Sequence, residues 1–394
     1  METIKITEIK WDEYPRSEHS QQQVDLYRSA VDNLPPIVVS KSMMGVDGYH
    51  RCQAYRQEGR TEIDAEIIDI PDEEVLVEAI RRNATHGLQL TNADKRRLGA
   101  QLYPQLDIDA ISTLLSVHKN SVLSWTKDKR EEERKEEDRI IWDMWLACET
   151  LADVGKQVGQ DESTISKRIL NLQKSVEIQV LDPLKMYNIW QFQSCDKSLG
   201  IDYPGRIPGQ IVEHLLYYYT EPFDVVWDLF GGGGVTVDAC KRHARRYRVF
   251  DIDPVRDDML QHDATEGMPK LTLKPKLIFL DPPYWKQKQG DYGNEPTNLA
   301  NMDADVFHNT LEKIIKEGLK IAEYVAVIIS PTQYDWTFKD HAAEMITRVG
   351  VPHHRISVPY STEVHGGNYV KMAKENKQWL YLNRDLMIYR GTKM

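Results

Sequence analysis

Cysteine is scarce, with four residues in 394, at positions 52, 148, 195 and 240; no two are closer than 45 positions, and none forms a CxxC or has a histidine at ligand spacing. Neither a disulfide framework nor a structural zinc is indicated, and no metal is expected. Long apolar runs are also missing. The longest, such as Tyr324–Ile329, hold about half a dozen residues, against the ~20 that a membrane-spanning helix needs. The first residues reach Trp11, Asp12 and Glu13 without a basic patch and apolar stretch, so a cytoplasmic protein with no membrane partner is expected. Positive charge is in deficit too: 50 basic against 61 acidic residues give a formal net charge of −11. Taken alone, this disfavours a polyanionic partner. Distribution tempers the sum, because Glu131–Asp138 concentrates acids while Lys241–Arg248 holds five basic residues in eight positions.

What is present divides the chain. Its length argues for two or three domains, and 41% apolar with 28% charged residues is an ordinary globular composition. Residues 1–85 show short β-type runs, Ile37–Val39 and Ala65–Ile68, around Asp47-Gly48-Tyr49-His50-Arg51, which predicts a small mixed α/β domain. Residues 86–180 are helical by periodicity and poor in proline. From 181 to 394, apolar strands alternate with amphipathic helices, the pattern of an α/β domain with a largely parallel sheet. The predicted strands are Val225–Trp227, Tyr247–Phe250, Leu277–Leu280, Tyr324–Ile329, Arg355–Val358 and Leu386–Tyr389.

Within the helical region, Ile111–Trp125 and Leu151–Ile169 share one design. A short apolar helix meets a tight turn, and a second helix follows, carrying Lys119, Asn120, Ser121 and Ser124 in one case and Ser163, Thr164, Ser166, Lys167 and Arg168 in the other. Both read as helix-turn-helix units. Short polar and basic side chains on the second helix are the types that reach base edges and phosphates in a major groove; an ordinary helical hairpin is the plainer alternative. Lys127–Arg139, with six basic and seven acidic residues, reads as a solvated spacer helix held by i,i+4 ion pairs.

Three stretches carry chemistry. In Asp228-Leu229-Phe230-Gly231-Gly232-Gly233-Gly234, a strand feeds a glycine run that opens a helix. Glycines there let the backbone pass close to a ligand, or simply make a tight turn that packs helix on strand. One strand later, Asp251 stands where an acid can bind ribose hydroxyls, with Asp253 placed to cap the next helix before Pro254. Asp263 follows in a loop, either facing a ligand or at the surface. The third stretch is Asp281-Pro282-Pro283-Tyr284. Two prolines fix the backbone, so a carboxylate and a held carbonyl can accept both hydrogens of a planar exocyclic amine, while Tyr284 stacks on the base that bears it.

Asp281-Pro282-Pro283-Tyr284, with Asp228–Gly234 upstream, resembles the amino-group DNA methyltransferases that use S-adenosylmethionine, over roughly residues 186–394. The resemblance implies a Rossmann-like domain. It also implies a cofactor over Phe230 and Gly231–Gly234 beside Asp228, its ribose on Asp251, its adenine near Asp263 and its methionine end under Tyr203–Gln210, which includes Pro208. Asp281–Tyr284 would hold and stack the target base. An Asp at the head of that motif is closer to adenine-N6 than to cytosine-N4 enzymes. By composition, residues 286–305, beginning Lys286–Gly290 and containing Asn294, Asn298 and Asn301, and the His353–Gly367 stretch with His365 and Gly366-Gly367, read equally as loops that close on the substrate or DNA and as ordinary surface loops.

Asp47-Gly48-Tyr49-His50-Arg51, followed by Ala54, Tyr55, Arg56 and Gly59, resembles the N-terminal domain of ParB partition proteins and their sulfiredoxin-like relatives. By that resemblance His50 and Arg51 stand near a nucleotide phosphate, although partition proteins carry a doubled arginine where this chain has His-Arg. A structural or DNA-positioning role is favoured. Together these features predict a nucleoid-associated, prokaryotic or phage-encoded methyltransferase acting on double-stranded DNA, with a nucleotide at the N-terminal domain and homodimerisation left open. The competing class is a ParB-like regulator whose methyltransferase-like domain does not turn over; methylation of RNA or of a protein glutamine is a more distant third.

Overall fold

The computed structural model describes the chain except residues 13, 18, 86–89, 179–180, 182, 287–297, 335–336, 361–366 and 392–394. The chain folds as two compact units, residues 1–135 and 136–394. The division falls inside a helix of the expected spacer, so compactness groups the second helix pair with the large sheet and not with the first pair.

The first unit opens with β1 (Glu2–Lys5), α1 (Gln21–Arg28), β2 (Ile37–Ser40), β3 (Gly45–Asp47), α2 (Tyr49–Gln57) and β4 (Glu62–Ile68). The strands form one mixed sheet in the order β1-β4-β2-β3, with β2 and β4 parallel. In β4 the period-2 pattern is direct: Ile63 and Ala65 are buried between exposed Glu62, Asp64 and Glu66. They join Ile4, Ile6, Ile37, Val39 and Cys52 in one core. Helices α3 (Val75–Thr85), α4 (Asn92–Leu102), α5 (Ile108–Leu114) and α6 (Lys119–Trp125) follow, packed on Leu76, Ile80, Leu98, Leu102, Ile111, Leu115 and Val122. Side-chain caps start them: Thr91 and Asp94 form a capping box on α4, and Asp107 caps α5.

Helix α7 (Lys127–Leu146) spans the division. In the second unit its Ile141 packs with Val154 of α8 (Leu151–Val158) and with Ile165 and Ile169 of α9 (Glu162–Ser175). Then come α10 (Gln210–Tyr219), β5 (Val225–Asp228), α11 (Val235–Arg242), β6 (Arg246–Asp251), β7 (Leu260–Gln261), β8 (Leu277–Leu280), α12 (Ala304–Gly318), β9 (Tyr324–Ile329), the β10–β11 pair (Thr332–Tyr334, Thr337–Lys339), α13 (His341–Val349), β12 (His354–Pro359), α14 (Gly367–Glu375) and β13 (Asn383–Arg390). All six predicted strands of this region are present. Leu260–Gln261 and the β10–β11 pair are additions; runs of two or three residues are too short for alternation to mark.

Seven strands form the large sheet in the order β12-β13-β9-β8-β5-β6-β7, and only β13 runs against the rest. Its central strands are apolar on both faces, as a sheet covered by helices on each side requires. Val226, Leu277, Phe279, Ala326 and Ile328 face α10 and α11. Trp227, Ile278, Leu280, Val325, Val327 and Ile329 face α12 and α13. From β5 the chain moves outward through β6 and β7, then returns to lay β8 on the other flank of β5. The order therefore reverses between β5 and β8, and a crevice opens at the carboxyl ends of those two strands. Asp228 ends β5, and Asp281 directly follows β8.

The basic cluster Lys241–Arg248 serves the fold. Arg245 is 6% exposed and donates to Thr220 Oγ1 and to the carbonyls of Thr220 and His243. Arg242 pairs with Asp196 and Glu213, Lys241 with Asp258, and Arg248 with Glu149. Arg246 donates to the carbonyl of Trp145. The cluster's charge is thus spent within the protein. Among the described residues, no helix is long and apolar enough to cross a membrane.

Candidate active site

Between β5 and α11 the chain turns through Leu229, Phe230 and the four glycines. Asp228 is buried, accepting from the Phe230 N–H at 2.9 Å through Oδ1 and from the Thr236 hydroxyl through Oδ2. One carboxylate thereby ties the strand end to the loop and to the first turn of α11. Burial pushes its carboxyl up to about 7, against the pull of those two donors, and nearby Asp251 adds to the push. The glycines are needed for space: a Cβ on Gly231 would lie 2.6 Å from Val249 Cγ1, and one on Gly233 would lie 2.8 Å from the Ile201 carbonyl.

Asp251, at the end of β6, accepts from the N–H of Gly232 at 2.8 Å and of Asp253 at 3.0 Å. Burial raises its carboxyl above the ordinary range. Asp263 accepts through Oδ1 from the Thr265 N–H and hydroxyl, at 2.8 and 2.7 Å, and so caps a short turn. These groups line one cavity of about 610 Å³ that takes in Tyr203–Ile207, Gly231–Gly233, Asp251–Asp253, His262–Thr265 and Asp281–Tyr284. Two expected members are not on its wall. Pro208 is buried, its carbonyl accepting from the Ile211 N–H at 3.0 Å at the start of α10, and the preceding Tyr203–Ile207 line the wall instead. Gly234, at φ +79°, caps α11 and abuts Arg256. Thr236 and Ile252 line the cavity without having been singled out in the sequence.

At the other end of the cavity, Asp281 emerges partly buried from β8. The Tyr284 hydroxyl donates to its Oδ1 at 3.1 Å, and the Trp285 indole, donating to the Met302 carbonyl at 2.9 Å, anchors the turn. Pro282 is buried, and its carbonyl accepts from none of the described residues. A carboxylate oxygen and a carbonyl oxygen, both fixed, thus stand beside an aromatic ring. Burial pushes the Asp281 carboxyl up to about 7; Arg384 pulls it down, Asp228 raises it further, and the Tyr284 hydroxyl lowers it. Burial likewise drives the Tyr284 hydroxyl well above its ordinary range.

Of the flanking candidates, residues 287–297, including Asn294, lie outside the described residues, as do His365 and Gly366. Asn298 reaches the cavity wall and caps a turn through its side chain. Lys119, Asn120 and Ser124 are exposed on α6 and Ser121 half-exposed; Ser163 and Lys167 are exposed on α9 and Thr164 half-exposed. Lys119 also pairs with Asp109. Arg168 differs from the others. It turns inward, its guanidinium reaching Glu137 at 2.7 Å and Asp138 at 2.6 Å on α7, and so corrects its assignment as a free DNA contact. The same pairs give part of the spacer helix a packing role.

In the first unit, Arg51 is spent on Asp47 at 2.7 Å and on the carbonyls of Pro35 and Pro36. His50 accepts from the Ser20 N–H at 3.2 Å, and burial pushes its imidazole down to about 4. Neither side chain is left as a ready phosphate ligand.

With this geometry in place, comparison with known proteins bears on one stretch. Residues 113–261 match the DNA methylase family. The match takes in the glycine loop and Asp251 and ends before Asp281. The chain is 29% identical over 104 residues to the type II methyltransferase M.PvuII of Proteus hauseri, covering 26% of this chain and 28% of that one. It is 34% identical over 91 residues to the transcriptional regulator NovG of Streptomyces niveus, covering 23% and 29%. The chain thus spans under a third of the length of each of these curated relatives. Among solved structures, C-terminally truncated ParB of Caulobacter crescentus complexed with CTP-γ-S is similar at 18% identity and a TM-score of 0.20, over 32% of this chain and 76% of that one.

Proposed function

We propose that the protein is a DNA methyltransferase that moves the methyl group of S-adenosylmethionine to the exocyclic amine of an extruded base, adenine N6 in preference to cytosine N4. The observation that carries this reading is the single cavity joining the glycine cradle and Asp251 to Asp281 and Tyr284 across the switch point of the sheet. The residues present fit such a cofactor: glycines packed against Val249 and the Ile201 carbonyl, where no side chain fits, leave bare backbone on the cavity wall, and an acid stands at the end of the neighbouring strand. When bound, the cofactor supplies an electrophilic methyl on a sulfonium.

The chain's own groups would then hold the acceptor. Asp281 and the Pro282 carbonyl accept the two amine hydrogens, which keeps the nitrogen lone pair directed at the methyl. Tyr284 stacks on the base, which has to leave the duplex because the amine is inaccessible within a base pair. Methyl transfer would leave the acceptor nitrogen with one proton too many, which Asp281 or water would take. Rate enhancement comes from positioning and from an acceptor placed where positive charge develops. The exposed polar faces of α6 and α9 would place the enzyme on duplex DNA. The expected segments 1–85, 86–180 and 181–394 then serve as a ParB-like domain, a DNA-binding region and the catalytic domain of a cytoplasmic, nucleoid-associated enzyme.

A radiolabelled methyl donor tests this directly. Label should enter duplex DNA and not RNA or protein, and Asp281→Ala should abolish the transfer. The similarity to a transcriptional regulator keeps a second reading in play, a DNA-bound regulator with a silent cofactor site. In that case Asp281→Ala leaves the protein's cellular effect unchanged.

A further inference from the structure

Arg384 is the most unusual charged residue of the second unit. It is 4% exposed, its Nε is buried without a hydrogen-bond partner, and no described carboxylate forms an ion pair with it. The Tyr360 ring lies over it, 4.3 Å from the guanidinium carbon. A buried Nε without an acceptor favours a negative group close to the guanidinium. Strand order shows where that charge lies. β13 runs antiparallel to β9, so Arg384, near its start, sits at the sheet edge where β8 delivers Asp281. Only β9 separates the two strands, a gap of ~10 Å at the usual spacing, which a long side chain leaning across the edge can shorten.

We propose that Arg384, braced by Tyr360, is a positioning residue that keeps the Asp281 carboxyl ionised and thus able to accept from the target amine. The need is reciprocal. Asp281 faces Asp228 from β5, the Tyr284 hydroxyl from its own loop and Arg384 from β13, and of these Arg384 is the only cation. Tyr360, directly after β12, is a neutral phenol whose own ionisation burial opposes. Burial and Asp228 both favour a protonated Asp281, which could donate but could not accept through that oxygen. Arg384 opposes them without occupying the carboxylate oxygens, because no hydrogen bond joins the two. The guanidinium acts through space and leaves both oxygens for Tyr284 and the substrate.

The inference rests on the methyltransferase reading for its purpose, but its test does not. The Asp281 carboxyl is titrated by carbon-13 NMR in selectively labelled full-length protein, assigned by difference against Asp281→Asn. Arg384→Gln should raise its midpoint by about one unit or more, Arg384→Lys should hold it near the native value, and Tyr360→Leu should raise it by less. If Arg384→Gln folds and the midpoint does not move, the proposal is overturned whether or not the protein methylates DNA. Should Arg384→Gln fail to fold, Arg384→Lys and Tyr360→Leu decide it: an unmoved midpoint in Tyr360→Leu, with the guanidinium freed from its ring, overturns it equally. If methylation is detected, the acid limb of kcat should shift with the NMR midpoint; a methylation failure with the NMR shift intact counts against the function and not against Arg384.

Discussion

The Tyr284 hydroxyl donates to Asp281 Oδ1 at 3.1 Å, so the ring that would stack on a base and the carboxylate that would hold its amine are coupled before any substrate arrives. With one lone pair of Oδ1 engaged, Oδ2 is the oxygen best placed to take an amine hydrogen. Tyr284→Phe should therefore keep stacking and lower kcat by less than tenfold. Tyr284→Ala should in addition weaken the hold on the extruded base by ~1–3 kcal/mol. Steady-state kinetics on duplex DNA separate the two.

A pH dependence follows from the raised carboxyl of Asp281. With its midpoint pushed up to about 7, the accepting form is lost as pH falls through that region, so kcat should fall on the acid side of neutrality. The limb should be absent from single-turnover rates if the chemical step does not need ionised Asp281.

Asp228 gives a stability prediction of opposite outlook. Its folded carboxyl is pushed up to about 7, above its unfolded value, so the folded state binds its proton more tightly. The associated stability is fully present below the unfolded pKa near 4 and is lost as pH rises through about 7. Between about pH 4 and 7 the native protein should therefore lose Tm relative to Asp228→Asn, which cannot ionise, and the difference should level off above about 7. A difference in Tm that stays flat across that range contradicts the assignment.

The glycine loop should tolerate no added carbon. Gly231→Ala places a Cβ 2.6 Å from Val249 Cγ1 and 3.0 Å from Met259 Sδ, which should cost ~1–3 kcal/mol of stability and weaken cofactor binding. Calorimetry and chemical denaturation measure both.

On the two helix pairs, Lys119→Ala and Lys167→Ala should each reduce the slope of log K against log salt by about one and leave cofactor affinity intact. Arg168→Ala should instead lower the unfolding midpoint, because Glu137 and Asp138 lose their partner.

Much of this was legible in the sequence for a physical reason. Strands such as Val225–Asp228 and Leu277–Leu280 are apolar on both faces, and the residues that end them are carboxylates, so strand and site announce themselves together. Arg384 and Tyr360 were not legible. They lie about 100 and 80 positions beyond Asp281, and only the antiparallel return of β13 brings the arginine to the same edge. Pro208 and Gly234 failed for a related reason: membership of a motif does not say which residue faces the ligand and which supports the turn. The Lys241–Arg248 cluster misled because charge read along the chain does not reveal partners such as Asp196, Glu213 and Glu149, which the fold brings from far away.

Weighing nucleosides tests the methyltransferase reading most directly. Unmethylated duplex DNA is incubated with the protein and S-adenosylmethionine, digested and analysed by mass spectrometry beside an Asp281→Ala control. N6-methyladenine should appear with the native protein and not with the variant, while both bind the cofactor within a few-fold of each other. Cofactor binding without any methylated nucleoside, on DNA of diverse sequence, would contradict it.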